Sequence, residues 1–200
     1  MSSEKRKYEL KARAQSQRQT RERIVQATIE LHEEVGPAQT TIAEIARRAQ
    51  VQRLTVYNHF REETELLGAC QAHWIGLHPP PDPSGAFALP DTLERLQVVL
   101  RAYYGWYRET APMTEKIQRD RGAVVALDEV MQQTADAGLD QLTDALAAGF
   151  AGSGRAAARR LALTRLALDF WTWHRLDRNG LDDNDAAELM AQAVASAGQG

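Results

Sequence analysis

The side chains best able to do chemistry in this chain lie close together: Gln52, Arg53, Thr55, Tyr57, Asn58 and His59, six hydrogen-bonding groups within eight positions. Groups of these types donate to phosphate oxygens and to the edges of bases, so they suit recognition better than turnover. No Ser, Cys or paired carboxylate stands in a recognisable catalytic setting, and no Gly-rich phosphate loop follows a strand. The histidines His32, His59, His73, His78 and His174 pair with no Cys or carboxylate at a metal-ligand spacing. The expectation is a protein that is not an enzyme and uses neither a metal nor a cofactor.

Two short helices split by a turn must position those donors. Thr41 with Glu44 three residues later is a capping box that opens the first helix, after Gly36-Pro37 has stopped the helix before it. Ile42, Ile45 and Ala46 are expected to face inward, Ala49 to Gln52 to turn, and Val51, Val56 and Phe60 to give the second helix a buried stripe. Its other face then carries Gln52, Arg53, Leu54, Thr55, Tyr57, Asn58 and His59. This is the pattern of a helix-turn-helix, whose second helix enters a major groove.

The run Thr-Ile-Ala-Glu-Ile-Ala (residues 41–46), followed by Val51, Thr55, Val56, Tyr57, His59 and Phe60, resembles the DNA-binding domain of the TetR family of bacterial regulators. The resemblance is specific over roughly residues 20–75 and rests beyond them on helix order alone. It implies that Thr41 and Tyr57 hold phosphates, that Gln52, Arg53, Leu54 and Thr55 reach base edges, and that His59 touches the DNA backbone, with Asn58 on the same face. It also implies a homodimer, double-stranded DNA as partner and a small-molecule effector. The chain departs from the family's pattern at three places. Gln50 replaces a Gly at a turn position that favours positive φ. Gln52 and Leu54 replace a Ser and a Gly in the recognition helix. Glu63, inside the acidic run Glu62, Glu63 and Glu65, replaces a phosphate-binding Lys. The departures leave open a helical sensor or interaction protein with weakened or lost DNA binding.

Composition allows one sizeable core or a small domain joined to a larger one: 200 residues, 44% hydrophobic and 26% charged. No apolar run is long enough to span a membrane and the N-terminus is polar and basic, so the expected location is the cytoplasm, with no membrane partner. The single cysteine, Cys70, excludes an internal disulfide and reads as a small buried residue. A net charge of −3 is divided unevenly. Residues 1–24 hold eight Lys and Arg against three Glu, a net +5, which leaves −8 for the remainder. The positive end would meet a phosphate backbone.

The expected fold is all-α: a basic N-terminal arm (1–17), a three-helix DNA-binding domain (18–62) and a larger helical domain for effector binding and dimerisation (63–200). The arm lacks apolar periodicity and reads as mobile or as a helical extension. Ile24, Ala27, Thr28, Leu31 and Val35 set the first helix, and Leu66, Leu67, Cys70 and Trp74 set a fourth that ends near His78. After a Pro-rich loop at 79–85, Pro90-Asp91 with Glu94 opens a helix running to about Thr110, and residues 112–121 are expected to hold only a short helix. Val124, Leu127, Met131, Thr134, Gly138, Leu142, Ala145 and Gly149 predict one long amphipathic helix, and a single helix is expected from Gly154 to Asn179-Gly180. The last helix, capped by Asp182 to Asp185, carries a seam of mostly small residues, Ala186, Leu189, Met190, Ala193, Val194 and Ala197, expected to pair with a symmetry mate. Trp74, Tyr103, Tyr107, Met113, Phe170 and His174 fall where the family's effector pocket would have its wall.

Overall fold

A computed structural model describes residues 2–197, with side chains from residue 7. The described residues form eleven α-helices and no strand, in agreement with the all-α expectation. They divide into two compact units, residues 1–78 with 115–130, and residues 79–114 with 131–200. The first unit thus takes in the fourth helix and a later segment in addition to the expected 18–62.

In the first unit, α1 spans Ser2–Glu34, α2 Ile42–Arg48, α3 Arg53–His59 and α4 Glu63–Leu77. Of the two readings of the arm, the structure has the helical extension, since α1 runs unbroken through it; the side chains of residues 1–6 lie outside the described residues. Ile24, Ala27, Thr28 and Leu31 are buried as the periodicity requires, and so are Val25 and Ile29 on a second face. Two buried faces need two partners, and α1 packs against both α2 and α4. Arg48 forks onto Glu34 at 2.6 and 2.7 Å on the first side, and the Cys70 thiol lies 3.8 Å from the Val25 carbonyl on the second. Burial pushes that thiol up to about 12, so Cys70 is the inert core residue its position suggested.

After the single turn α5, Ser84–Phe87, the helix α6 spans Thr92–Asp120 and continues through Pro112, past the expected stop near Thr110. Proline removes one rung of the ladder, but Met113, Glu115, Lys116, Gln118 and Arg119 are strong helix formers, and the buried Met113 and Asp120 reward continuation. Residues up to Thr114 belong to the second unit and the last six to the first.

The expected long helix from Val124 is interrupted. Helix α7, Val125–Met131, passes through a π-helical turn, Gln132–Asp136, into α8, Ala137–Ala148. Leu127 and Leu142 are buried as the pattern requires, but Thr134, Gly138, Ala145 and Gly149 are exposed, and Thr143 and Leu146 are buried in their stead. A π turn inserts a residue and so rotates the face that follows it, which a pattern of fixed period cannot anticipate.

The single helix expected from Gly154 is two, α9 (Gly154–Ala167) and α10 (Phe170–Arg178). The Asp169 carboxylate caps α10 by accepting from the Thr172 amide at 3.0 Å. The interruption frees the carbonyls of Ala167 and Leu168, which accept from the hydroxyls of Tyr104 at 2.8 Å and Tyr107 at 2.6 Å. These two residues of α6 lie in the core with Leu96, Leu100, Phe170 and Trp173. Arg108, one position on, clasps Asp183 at 2.8 and 2.9 Å and Asp177 at 2.8 Å. The last helix, α11, spans Asp183–Ser196 and is capped by Asp182 as expected. Of its expected seam, Ala186, Met190 and Val194 are buried in the same core beside Ala187 and Ala191, whereas Ala193 and Ala197 are half-buried and Leu189 is exposed.

Tyr107→Phe should leave the Leu168 carbonyl buried without its donor and cost about 1–3 kcal/mol in chemical denaturation. A loss below a few tenths of that range would mean the hydroxyl does not hold the break.

Candidate DNA interface

The interface is built on α2 and α3. Gly36 takes φ +92° and ends α1, and the Thr41 hydroxyl oxygen accepts from the Glu44 amide at 3.2 Å. Only this half of the capping box forms, because the Glu44 carboxylate turns instead to Arg47. The Thr41 hydroxyl hydrogen stays available to a phosphate. The turn passes through Gln50 at φ +55°, the left-handed value that its place in the motif demanded of a Gly. Gln52 occupies the N-cap of α3 in extended conformation with no side-chain cap bond, as expected of a poor capping residue.

Val56 and Phe60 bury one face of α3, with Val51 half-buried at its approach. Gln52, Arg53, Leu54, Tyr57 and Asn58 are exposed, and Thr55 and His59 are half-buried at the margins. Leu54 and Tyr57 are 65% and 53% exposed, unusual for large apolar side chains and suited to contact with thymine methyls and sugar edges. A difference in pairing separates the two helices. Arg47 and Arg48 of α2 are neutralised by Glu44 and Glu34, whereas Arg53 makes no ion pair among the described residues. The cation left for a ligand is the one on the recognition face.

A second carboxylate fixes the approach to the motif. Asp120 is 4% exposed and accepts from the Ala38 amide at 3.0 Å and from Arg119 at 2.7 and 3.1 Å. Those bonds hold its carboxyl below the usual range, the Arg119 bond most strongly. Gly36 is required here twice over, since any Cβ would run into Arg119 Nη2 and Asp120 Oδ2. Nearby His32 is buried, and desolvation lowers it to about 4 against the opposing pull of Asp120. Nothing in local sequence pattern singled out Asp120, which lies 82 positions from Ala38.

The residues expected to wall an effector pocket fall into different settings. Tyr103, Tyr107, Phe170 and His174 are brought together in the second unit. Tyr107 meets Tyr103 at 6.2 Å and Phe170 at 5.5 Å between ring centroids, and Phe170 stacks on His174 at 5.7 Å. Met113 is buried on α6, and Trp74 sits half-buried on α4 in the first unit beside His78. Sequence reasoning did not assign a role to Trp173, which is 2% exposed, joins the same cluster and donates to Asp183 at 3.1 Å.

A short helix with one buried and one polar exposed face, joined by a tight turn to the helix it packs against, is a helix-turn-helix. Residues 24–70 match the family described as bacterial regulatory proteins, tetR family. The fold of the whole chain is that of TetR regulators. It is similar to a TetR-like transcriptional regulator from Rhodococcus sp. RHA1, with 18% identity and a TM-score of 0.63 over 90% of this chain and 96% of that one. It is also similar to NalD of Pseudomonas aeruginosa, a secondary repressor of the MexAB-OprM multidrug efflux pump, with 20% identity and a TM-score of 0.56 over 90% and 95% of the two chains. No curated protein matches the chain in sequence.

Two consequences are measurable. Gln50→Gly should stabilise the protein by about 1 kcal/mol by relieving the left-handed turn, and a neutral or destabilising result in thermal unfolding would count against strain there. His32 is neutral when folded and protonates more readily when unfolded, so its contribution is complete above pH 6.5 and is lost as pH falls toward about 4. That loss amounts to about 3 kcal/mol. Stability followed between pH 7 and 4 should fall less steeply in His32→Gln than in the wild type, and equal slopes would refute the burial argument.

Proposed function

We propose that the protein is a homodimeric transcriptional repressor that binds a roughly palindromic operator and is released by a small apolar or aromatic effector. The carrying observation is the unpaired Arg53 on an exposed helix whose back is buried, with Thr41 and Tyr57 at its flanks. In this reading Gln52, Arg53, Leu54 and Thr55 meet base edges, Thr41, Tyr57 and His59 meet the backbone, and Asn58 extends the same face. A repressor acts where its DNA is, which fits a cytoplasmic location.

Dimerisation is supported by the outward faces of α9 and α11, where Leu166 and Leu189 are each about half exposed (49% and 48%). In this reading the exposed side chains pair, and the buried Ala186, Met190 and Val194 serve the chain's own core. A dimer would set two recognition helices about 34 Å apart, matching one turn of DNA. The effector reading rests on the aromatic cluster of Tyr103, Tyr107, Phe170 and His174, with Met113 of the same unit as a further wall residue. The NalD likeness supports the repressing sign. Release requires an effector that prefers the DNA-incompetent state, and a 100-fold preference corresponds to about 2.7 kcal/mol.

Selection of fragments from a random duplex library tests the reading directly. The wild type should enrich a palindrome. On that site Arg53→Ala should lose affinity and relax sequence preference, whereas Tyr57→Phe should weaken specific and random duplexes alike. Absence of any enriched sequence, or equal losses for both variants on both DNAs, would remove the assignment.

A further inference from the structure

The N-terminal half of α1 has no protein to pack on. Residues 7–19 are exposed on every side, and the first fully buried side chain is Ile24. From residue 7 to Ile24 this is a helical rod about 25 Å long at 1.5 Å per residue. Apart from Arg13 and Arg23, which lie on other faces, its cations are arranged in one line: Lys7, Lys11, Arg18 and Arg21, with Ala14 between them, recur at steps of four and three. At 100° per residue they fall within about 80° of the helix circumference. Glu9 lies on the opposite side, and Glu22 borders the line four residues after Arg18. Lys7, Lys11 and Arg18 make no ion pair among the described residues, and Arg21 is stationed over the Phe60 ring at 4.5 Å, at the end of the recognition helix. The line is continuous with that helix, since Ala14, Gln17, Arg18 and Arg21 share an open cleft with Asn58 and His59.

We propose that this stripe is a second DNA-binding element, which follows the phosphates of the duplex flanking the half-site that α3 reads. Charge complementarity and continuity with the recognition face identify the occupant. A bilayer is disfavoured because the rod's large apolar side chains, Tyr8 and Leu10, point to different sides and give no apolar face to insert. The stripe makes no base contacts, so it adds affinity and lengthens the footprint without changing the sequence that is read. The inference rests on the reading of α3 as the groove-binding helix.

The test compares the wild type with Lys7→Ala/Lys11→Ala/Arg18→Ala on the selected site, once embedded in a long duplex and once trimmed to the site itself, over a salt series. On the long duplex the triple variant should bind more weakly with unchanged sequence preference. Its slope of log affinity against log salt should be shallower by about 0.9 for each phosphate contact removed, so by nearly three per protomer. On trimmed DNA the two proteins should bind alike. Equal slopes on the long duplex would overturn the stripe while leaving α3 untouched. Loss of sequence preference in the triple variant would overturn it too, by making the arm a base reader or a folding element. No duplex binding by the wild type would remove both readings, and wild-type binding to vesicles containing phosphatidylglycerol in that case would give the stripe to lipid.

Discussion

A helix of seven residues cannot stand alone in water, and the recognition helix α3 is such a helix. Its nucleation cost exceeds what one or two turns of hydrogen bonds return, so its stability must be borrowed. The lenders are Val56 and Phe60, which commit one face to the core, and α2, which packs on α3 and is itself packed on α1. The consequence is a division of labour within two turns of helix. Every buried position is spent on stability, and every exposed one is available to a ligand. Leu54 and Tyr57 can be exposed without unfolding the helix only because its other face is so well held.

The same economy governs charge. Cations on α2 and on the end of α6 are structural: Arg48 locks α2 to α1 through Glu34, and Arg119 neutralises a carboxylate that would otherwise be too costly to bury. Asp120 can then cap the start of the short helix at Pro37–Gln39 and fix the route by which the chain enters α2. Arg53 of α3 and Lys7, Lys11 and Arg18 of the rod make no such pairs among the described residues. Pairing, and not count, distinguishes a charge that holds the fold from a charge offered to a partner, and a tally of Lys and Arg would have mixed the two.

What could be read from sequence follows the same boundary. The Thr41 cap, the stop at Gly36-Pro37, the left-handed turn at Gln50, the caps at Asp91 and Asp182 and the end at Gly180 are local events, decided by side chains within about four residues of the backbone they act on. The misread segments were decided elsewhere. The break between α9 and α10 is stabilised by hydroxyls 61 and 63 positions away. The π turn after Met131 rotates a face that a fixed period would have kept. Proline at 112 obeyed its local rule by removing a rung, yet the helix survived on what lies beyond it. For the interface, local pattern identified the exposed face of α3, but the freedom of Arg53 became visible only once the partners of Arg47 and Arg48 were known.

An overall charge of −3 is no obstacle to a DNA-binding surface. At physiological salt the Debye length is about 8 Å, so acidic residues more than a few side chains away from a phosphate contribute little to the potential it feels. What matters is the sign within that layer: Arg53, Lys7, Lys11, Arg18 and Arg21 on one side of the account, and Glu62 and Glu63 at the exposed start of α4 on the other. Those two glutamates favour their own helix, because negative charge at its N-terminus meets the positive end of the helix dipole. At the DNA they would repel. A chain that strengthens α4 at the cost of a backbone contact needs phosphate affinity from another source, and the unpaired cations of the extended α1 are placed to supply it.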